Sequence, residues 1–252
     1  RSIIHSTEES KKSEKIGIQA VLQCGIFEDG IFKGCVSIDD CEKPRYWTEC
    51  EVDSLVTITK IISSYLLKLR ASERANHKLY QIINYDALTG LPTLHKFKKD
   101  AIKLVSEHPK RSYAIIYSDI CHFKHINDSL GYDIGDRILC DYAKLLSSGN
   151  DMDNKVIARS SEDCFLAIVD YSAEEVLKNH VLSLNEQFNT MQKAKYPGNK
   201  FIIASGVSVI ESSENITVAI DNANIARKSV KNSLKTVCKF FDSSMRAKIQ
   251  RE

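Results

Sequence analysis

The spacing of hydrophobic and polar residues changes twice along the 252-residue chain. Between Gly17 and Asp40, apolar residues alternate with polar ones on both sides of Glu28-Asp29-Gly30. Alternation with a period of two around a short turn predicts two antiparallel strands joined as a hairpin. Because a two-stranded hairpin is unstable alone in water, we expect it to pack on another element.

A long helix is predicted next. Thr48 and Glu51 form a capping box, and no Gly or Pro interrupts residues 47–89. A seam with alternating spacings of three and four then runs for roughly four heptads. Its members are Leu55, Ile58, Ile62, Tyr65, Leu69, Ser72, Asn76, Leu79 and Ile83. We therefore expect a helical stalk over residues 47–84 that forms a homodimer; a long helix packed within one chain is the alternative.

Helices alternate with buried strands from Asp86 onward. The predicted order is helix 95–108, strand 113–120, helix 134–148, strands 155–160 and 164–170, a helix to about 193, strand 201–210, helix 216–232 and strand 236–241. A second capping box, Ser172 with Glu175, is expected to start the helix that ends near 193. This order predicts an α/β (α+β) domain, with helices flanking a central mixed sheet.

Polar residues interrupt this pattern at two places. Asp119 ends a buried strand and is followed by an exposed turn, and Asp163 lies in the turn 159–164 between two apolar strands. If those strands pair with the strand that ends at Asp119, the two carboxylates approach each other. Two carboxylates and a backbone carbonyl would form a Mg²⁺ site for a nucleotide. The alternative is that both are solvated turn residues.

Four segments resemble, in order, the signatures of the GGDEF domain, the diguanylate cyclase family. They are DALTGLPTLHKF, SDICHFKHINDSLGYDIGD, ARSSEDCFLAIV and DNANIARKSVKN, and the resemblance covers about residues 85–242. The segment GCVSIDDCEKPRYWTECEVDSLVTITKIISSYL resembles the end of a GAF sensor domain. The tail FFDSSMRAKIQRE resembles the linker before an EAL phosphodiesterase domain. The resemblance implies a GAF remnant at 1–46, the stalk at 47–84, a GGDEF domain at 85–242 and a linker at 243–252.

Catalytic and metal-binding roles can be transferred to three positions. Asp119, the Ile120 backbone carbonyl and Asp163 lie where the family binds Mg²⁺ (or Mn²⁺) and the phosphates of GTP. The resemblance implies that Asp163 also helps to activate the ribose 3′-hydroxyl for attack on the α-phosphate of a second GTP. Asp119 and Asp163 are therefore the candidate catalytic residues.

Substrate-binding roles fall on five further positions. Asn127 and Asp136 match the pair that recognises the guanine edge, and their donors and acceptors would select guanine over adenine. Phe123 and Lys124 lie where the backbone surrounds the phosphates, and Lys228 matches a lysine that neutralises the terminal phosphate.

The sequence departs from the family pattern at its signature. Where the family has Gly-Gly-Asp/Glu-Glu-Phe, this chain has Ser161-Glu162-Asp163-Cys164-Phe165. Two glycines permit a turn with positive φ close to the nucleotide, and Glu162 adds a negative charge near phosphates. The other departures are Thr93, Leu94, Cys121, Asn224, Ile225 and Lys231. We therefore expect guanine-nucleotide binding in a regulatory role with little or no cyclase activity. The alternatives are an active diguanylate cyclase and a catalytically silent dimerisation or signal-relay module.

No inhibitory site is expected. The family's product-binding motif, Arg-x-x-Asp, falls on Met152 and Lys155 in this chain. Neither the guanidinium nor the carboxylate of that motif is therefore present.

Composition excludes several classes of protein. A charge of +2 from 35 basic and 33 acidic residues argues against dedicated nucleic-acid binding. The sequence contains no run of 18 apolar residues, so no membrane-spanning helix is predicted. The eight cysteines are scattered singly, which is typical of reduced thiols in a cytoplasmic, here bacterial, protein. Zinc bound by Cys121, His122, His125 and Cys164 is an alternative, although no paired Cys spacing supports it.

Overall fold

The computed structural model describes residues 17–148, 155–210, 216–231, 233 and 235–249. The chain divides into two compact units between Leu79 and Tyr80, within one continuous helix. In the described part of the chain, no helix combines the length and hydropathy that crossing a bilayer requires.

The first unit contains the predicted hairpin and most of the predicted helix. Strands β1 (Ala20–Glu28) and β2 (Ile31–Asp40) pair antiparallel, and Asp29 and Gly30 connect them with φ values of 51° and 77°. Positive φ at both central residues is the geometry that a two-residue hairpin turn favours. The hairpin prediction is therefore confirmed.

Helix α1 (Glu49–Asn84) begins at the predicted capping box. The Thr48 amide donates to Glu51 Oε2 (2.8 Å), and the Glu51 amide donates to Thr48 Oγ1 (3.3 Å). The Thr48 amide, helped by the Arg45 guanidinium and the Thr48 hydroxyl, lowers the pKa of Glu51 to about 2. The reciprocal hydrogen bonds satisfy two amides that a helix N-terminus leaves free.

The second unit is built on one sheet with the strand order β4-β5-β3-β6-β7. Its elements are α2 (Leu94–Glu107), β3 (Tyr113–Ile120), α3 (Phe123–Leu130), α4 (Tyr132–Ser148), β4 (Val156–Ser161), β5 (Cys164–Asp170), α5 (Glu174–Lys195), β6 (Ile203–Ile210), α6 (Ile216–Lys228), β7 (Val237–Phe240) and α7 (Ser243–Ile249). All neighbouring strands pair antiparallel except β6 and β7. The predicted mixed sheet flanked by helices is therefore confirmed.

The two faces of the central strand β3 contact different helices. Tyr113 and Ile115 pack in a core cluster with residues of α2 and α6. Ala114 and Ile116 pack in another cluster with residues of α5. Because side chains alternate along a strand, Asp119 lies on the face of Tyr113 and Ile115, towards α6.

Two local predictions differ from the structure. The segment after Asp119, expected as an exposed turn, contains α3, whose Ile126 joins the core with residues of α4 and α5. The predicted capping box at Ser172 and Glu175 is wrong. Helix α5 has Ala173 at its N-cap position, with no side-chain hydrogen bond there.

Candidate functional site

Strand pairing brings Asp119 and Asp163 together. Asp119 lies opposite Cys164 in the β3–β5 ladder, and the Ile120 amide donates to the Asp163 carbonyl (3.3 Å). Ligand atoms of Asp119, Asp163 and Cys164 all lie within 4.8 Å of one another. The approach of the two carboxylates is therefore the one that the strand order predicted, while their catalytic roles stay predictions.

Two cations of the chain already contact Asp119. Its side chain is completely buried, and its Oδ2 accepts hydrogen bonds from Arg227 Nη1 and from Lys231 Nζ, the latter at 2.9 Å. The contact with Asp119 raises the pKa of Lys231. Asp119 Oδ1 is buried without a hydrogen-bond partner. We call Asp119, Asp163, Arg227 and Lys231 the charge cluster.

Arg227 is held from three sides. Asn224 Oδ1 accepts from Arg227 Nε (3.0 Å) and Nη2 (2.8 Å), and the guanidinium lies 5.2 Å from the centre of the Tyr117 ring. A Cβ atom on Gly206 would lie 2.3 Å from the Arg227 backbone nitrogen and 2.0 Å from the Ala223 carbonyl oxygen. Helix α6 can therefore approach β6 this closely only because residue 206 is glycine.

Sequence reasoning missed Arg227, although a signal for it was present. Asn224 and Lys231 were noted as departures from the family pattern, and they lie three residues before and four residues after Arg227. That spacing places Asn224 and Arg227 on one face of α6, and Lys231 lies in the turn that follows the end of the helix at Lys228. The two departures and Arg227 thus belong to one structural feature, which the sequence comparison had treated as separate changes.

The signature turn forms without glycine. Within the described residues, positive φ occurs outside glycine only at Asp29 and His122, so Ser161, Glu162 and Asp163 have ordinary φ values. The β4–β5 register shifts between Arg159 and Ser161, and the side chains of Ser161 and Glu162 are exposed. Ser161 and Glu162 therefore introduce no backbone strain, because this turn contains a register shift and does not use the positive φ that glycine permits.

Hydrogen bonds of the Arg159 side chain connect this turn to Asp86, near the start of the second unit. Its Nε donates to the Glu162 carbonyl (3.0 Å), and its Nη1 donates to Asp86 Oδ1 (2.9 Å). Asp86 also accepts from the Thr89 amide (2.8 Å) and hydroxyl (2.6 Å). Burial opposes the charged form of Asp86, but these hydrogen bonds outweigh it and lower the pKa of the carboxyl group.

Burial sets the protonation of the neighbouring groups. It raises the pKa of the Cys164 thiol to about 12 and that of Cys121 to about 11, so both are neutral thiols at pH 7. Burial and the nearby Asp119 charge raise the pKa of Asp163. Among the described side chains, the one metal-capable cluster contains Cys164 but not Cys121, His122 or His125. The residues weighed as a zinc site are therefore not brought together.

The predicted substrate-binding residues lie on three helices. Phe123 and Lys124 open α3, directly after His122 with φ 58°, and the first amides of a helix have no partner within it. Asn127 lies in α3 with its Oδ1 buried and unpaired, whereas Asp136 in α4 is exposed. Lys228 ends α6 and is exposed. We call Phe123, Lys124, Asn127 and Asp136 the guanine side; the roles of these residues stay predictions.

The model of the family described as "Diguanylate cyclase, GGDEF domain" matches residues 83–236. The chain belongs to the GGDEF family. It is 26% identical over 215 residues to the cyclic di-GMP phosphodiesterase NbdA of Pseudomonas aeruginosa, a match that covers 82% of this chain and 26% of NbdA. It is 30% identical over 162 residues to the diguanylate cyclase DgcP of Escherichia coli, covering 62% of this chain and 47% of DgcP.

A solved structure shows the same fold. The coiled coil and GGDEF domain of DgcB from Caulobacter crescentus, a complex with c-di-GMP, has a TM-score of 0.55 at 16% identity. The match covers 73% of this chain and 99% of that one. The curated relatives are much longer, since this chain spans about a quarter of NbdA and less than half of DgcP. The two names, one phosphodiesterase and one cyclase, assign no activity to this GGDEF domain.

The charge cluster fits a divalent cation only in part. GGDEF proteins generally use Mg²⁺, and Asp119 and Asp163 are oxygen ligands of the kind that Mg²⁺ prefers. However, the third neighbour is the sulfur of Cys164, and Asp119 Oδ2 is already occupied by Arg227 and Lys231. Two carboxylates are therefore present at the predicted metal site, whereas Arg227 and Lys231 neutralise the negative charge that would attract a metal.

The positions of the family's inhibitory motif are described only in part. Met152 lies outside the described residues. The Lys155 ammonium donates to the Leu146 carbonyl (3.3 Å). The expectation that this GGDEF domain has no inhibitory site stays a prediction.

Proposed function

We propose that this chain is a regulatory GGDEF domain of a cyclic di-GMP signalling protein, which binds a guanine nucleotide and makes little or no cyclic di-GMP. The observation that carries the proposal is the engagement of the buried Asp119 by Arg227 and Lys231. The carboxylate that would hold Mg²⁺ in an active cyclase is bound to side chains instead. Since phosphoryl transfer depends on positioning and on charge stabilisation, losing this arrangement is expected to abolish turnover.

The signature turn supports the same conclusion. Cys164 replaces the fourth-position acid and is a buried, neutral thiol, and Glu162 adds a carboxylate where the family has glycine. A neutral thiol at Cys164 cannot accept the proton of a ribose hydroxyl as a carboxylate would, and the negative charge of Glu162 opposes the approach of phosphates. The turn itself is well formed, so its loss of function is chemical rather than a failure to fold.

Guanine-nucleotide binding is supported by the guanine side. Asn127 lies where the resemblance places a guanine-recognition residue, and its buried Oδ1, which faces Gly135, has no hydrogen-bond partner; an unpaired buried acceptor is costly unless a ligand or water satisfies it. Asp136 is exposed and available as an acceptor for the ring N–H and amino group of guanine. Lys124 and Lys228 supply exposed positive charge for phosphates. Mg²⁺ or Mn²⁺ on Asp119, Ile120 and Asp163 stays a prediction, which the charges around Asp119 oppose.

Product analysis tests this proposal. The full chain is incubated with GTP and Mg²⁺, and the nucleotides are separated by chromatography. We expect no cyclic di-GMP above the level given by an Asp163→Asn variant. The same chain is titrated with fluorescent GTP, and unlabelled GTP is expected to displace the probe better than ATP. Sustained cyclic di-GMP formation would support the alternative, an active cyclase, and the absence of any nucleotide binding would support a silent relay module.

The wider organisation is part of the proposal. The seam of α1 carries exposed apolar residues, including Ile58, Tyr65 and Leu69, and such a stripe is typical of a helix that pairs with another. We infer that the stalk forms a homodimer, that the hairpin is the end of a GAF sensor domain, and that an EAL domain follows in the whole protein. Sedimentation of the full chain tests the dimer. Leu69→Asp should give monomers, whereas Lys68→Asp, off the seam, should not.

A further inference from the structure

The formal charges of the charge cluster sum to zero without a metal. Asp119 and Asp163 carry two negative charges, and Arg227 and Lys231 carry two positive ones. Arg227 is 5% exposed, so it faces Asp119 without competition from bulk water. A divalent cation placed beside Asp119 would therefore meet two like charges in a buried environment, where repulsion is screened least.

Several contacts fix the position of Arg227 in the charge cluster. Arg227 has three of its five donor positions fixed, two by Asn224 and one by Asp119. Its backbone is pressed against β6 at Gly206, and its guanidinium lies over Tyr117. The side chain therefore cannot rotate to make room for a metal without losing its contacts with Asn224, Asp119 and Tyr117.

Lys231 gives the cluster a solvent-exposed side. Its side chain is 46% exposed, and it makes one short contact to Asp119 Oδ2. An ammonium has three donors, so the group can bind a phosphate oxygen while it holds Asp119. In this geometry the charge that Mg²⁺ supplies in the family comes from a side chain of the protein.

We propose that Arg227 and Lys231 take the place of Mg²⁺ at Asp119, so that this GGDEF domain binds the phosphates of a guanine nucleotide without a divalent cation. The replacement of Mg²⁺ at Asp119 is inferred from the contacts of Arg227 and Lys231 alone. Phosphate binding by Lys231 rests on the proposed nucleotide binding. Arg227 serves as a fixed positioning residue that neutralises Asp119, and Lys231 contacts the phosphate.

The first experiment measures metal binding without nucleotide. Mn²⁺ is titrated into the full chain, and free Mn²⁺ is followed by electron paramagnetic resonance. We expect the wild type to bind Mn²⁺ no more tightly than an Asp119→Asn variant. Replacing both cations, in the variant Arg227→Met/Lys231→Met, should tighten Mn²⁺ binding by about tenfold or more, because Asp119 and Asp163 then regain a net charge of −2.

The controls separate a metal site from general charge effects. Lys239→Met removes an exposed lysine of β7 and should leave Mn²⁺ binding unchanged. Adding Asp119→Asn to the double variant should abolish the gained site. If loss of Arg227 prevents folding, Lys231→Met alone is used, and it should give a smaller gain in the same direction. A single Mn²⁺ site in the wild type that Asp119→Asn removes would overturn the proposal.

The second experiment measures nucleotide binding. A fluorescent GTP analogue is titrated into the full chain in excess EDTA and in excess Mg²⁺. We expect the two dissociation constants to agree within about twofold, and Lys231→Met to weaken binding in EDTA by about tenfold. Binding that requires Mg²⁺ would overturn this inference and leave the proposed function intact. If no analogue binds in either solution, the proposed nucleotide binding and the phosphate part fail, and the Mn²⁺ titration still decides the role of Arg227.

Discussion

The guanine side and the charge cluster depart from the family pattern to different degrees. On the guanine side, the family's residue types stand at the positions where the resemblance places them, and they come from two helices that follow each other in the chain. In the charge cluster, residues from β3, the signature turn and the end of α6 meet, and two of them are cations that the family pattern does not contain. Under the proposals made above, one half of a nucleotide site keeps its recognition groups while the other exchanges its metal for side chains.

The two regions also differ in how strongly their side chains contact one another. Asn224, Arg227 and Lys231 depend on one another, since Asn224 orients the guanidinium and both cations share one carboxylate oxygen. On the guanine side, Asn127 Oδ1 packs against Gly135 without a hydrogen bond and Asp136 is exposed, so neither the amide oxygen nor the carboxyl group is held by a hydrogen bond within the described residues. We therefore expect substitutions in the charge cluster to change stability and substitutions on the guanine side to change binding.

The largest effect is expected from Arg227→Met. Removing one member of a buried ion pair leaves Asp119 charged and poorly compensated, and we expect a loss of about 3–5 kcal/mol in the free energy of unfolding. Urea unfolding of the full chain, followed by circular dichroism, measures it. The double variant Asp119→Asn/Arg227→Met should recover a large part of this loss. Arg111→Met is the matched control, because Arg111 pairs with Asp170 at the surface (3.0 Å) and should cost under about 1 kcal/mol. Equal losses in the two arginine variants would contradict the role of Arg227.

Gly206→Ala tests how the cluster is positioned. The added methyl would overlap backbone atoms of α6, and shifting the helix is expected to cost about 1–3 kcal/mol. Urea unfolding is again the measurement. Gly25→Ala is the control, because the added methyl there meets only the ring of Phe27 within the hairpin, and that side chain can move. If the two substitutions were equally mild, the close approach of α6 to β6 would not be what places Arg227.

Asn127→Ala tests the guanine side. Loss of the amide should weaken binding of a fluorescent GTP analogue by about tenfold, or about 1.4 kcal/mol, with little change in the free energy of unfolding. Asn189→Ala in α5 is the control, because Asn189 is half-buried and its Oδ1 is likewise buried without a partner, and this variant should bind as the wild type does. A large drop in stability with unchanged binding would show that Asn127 is structural, and the contrast with the charge cluster would disappear.

The smallest effect is expected from Asp86→Asn, which loosens the link between Asp86 and the signature turn. A lost charged acceptor should cost about 1 kcal/mol at pH 7. Because the folded pKa of Asp86 lies below its ordinary value of 3.8, its stabilising effect is present above that pH and is lost as the pH falls through the folded pKa. Thermal unfolding at a series of pH values should therefore show wild type and variant converging in acid. A difference that stays constant with pH would exclude this carboxylate as the cause.

Local pattern was enough to predict most of the fold. The hairpin needed only alternation around Asp29-Gly30, and α1 needed only a capping box and an uninterrupted seam. The short turn predicted the pairing of β4 with β5, whereas the approach of Asp119 to Asp163 was conditional on the pairing of β5 with β3, which the structure supplies. Two errors were local. At Ser172 a capping pattern was present but the helix began elsewhere, and after Asp119 a polar segment that looked like a turn buried Ile126 and formed α3.

By itself, the sequence determined the order of the strands and of most helices, the place of Asp119 at a strand end and of Asp163 in a turn, and the list of residues that differ from the family. Periodicity and turn chemistry act over a few residues, so they can be read directly along the chain. Only the tertiary structure decided that Arg227, 108 residues from Asp119, occupies the edge of the candidate metal site. That contact depends on the alternating face of β3, on the missing side chain at Gly206 and on Asn224, which lies one helical turn before Arg227, and these features act together only when α6 packs on the sheet.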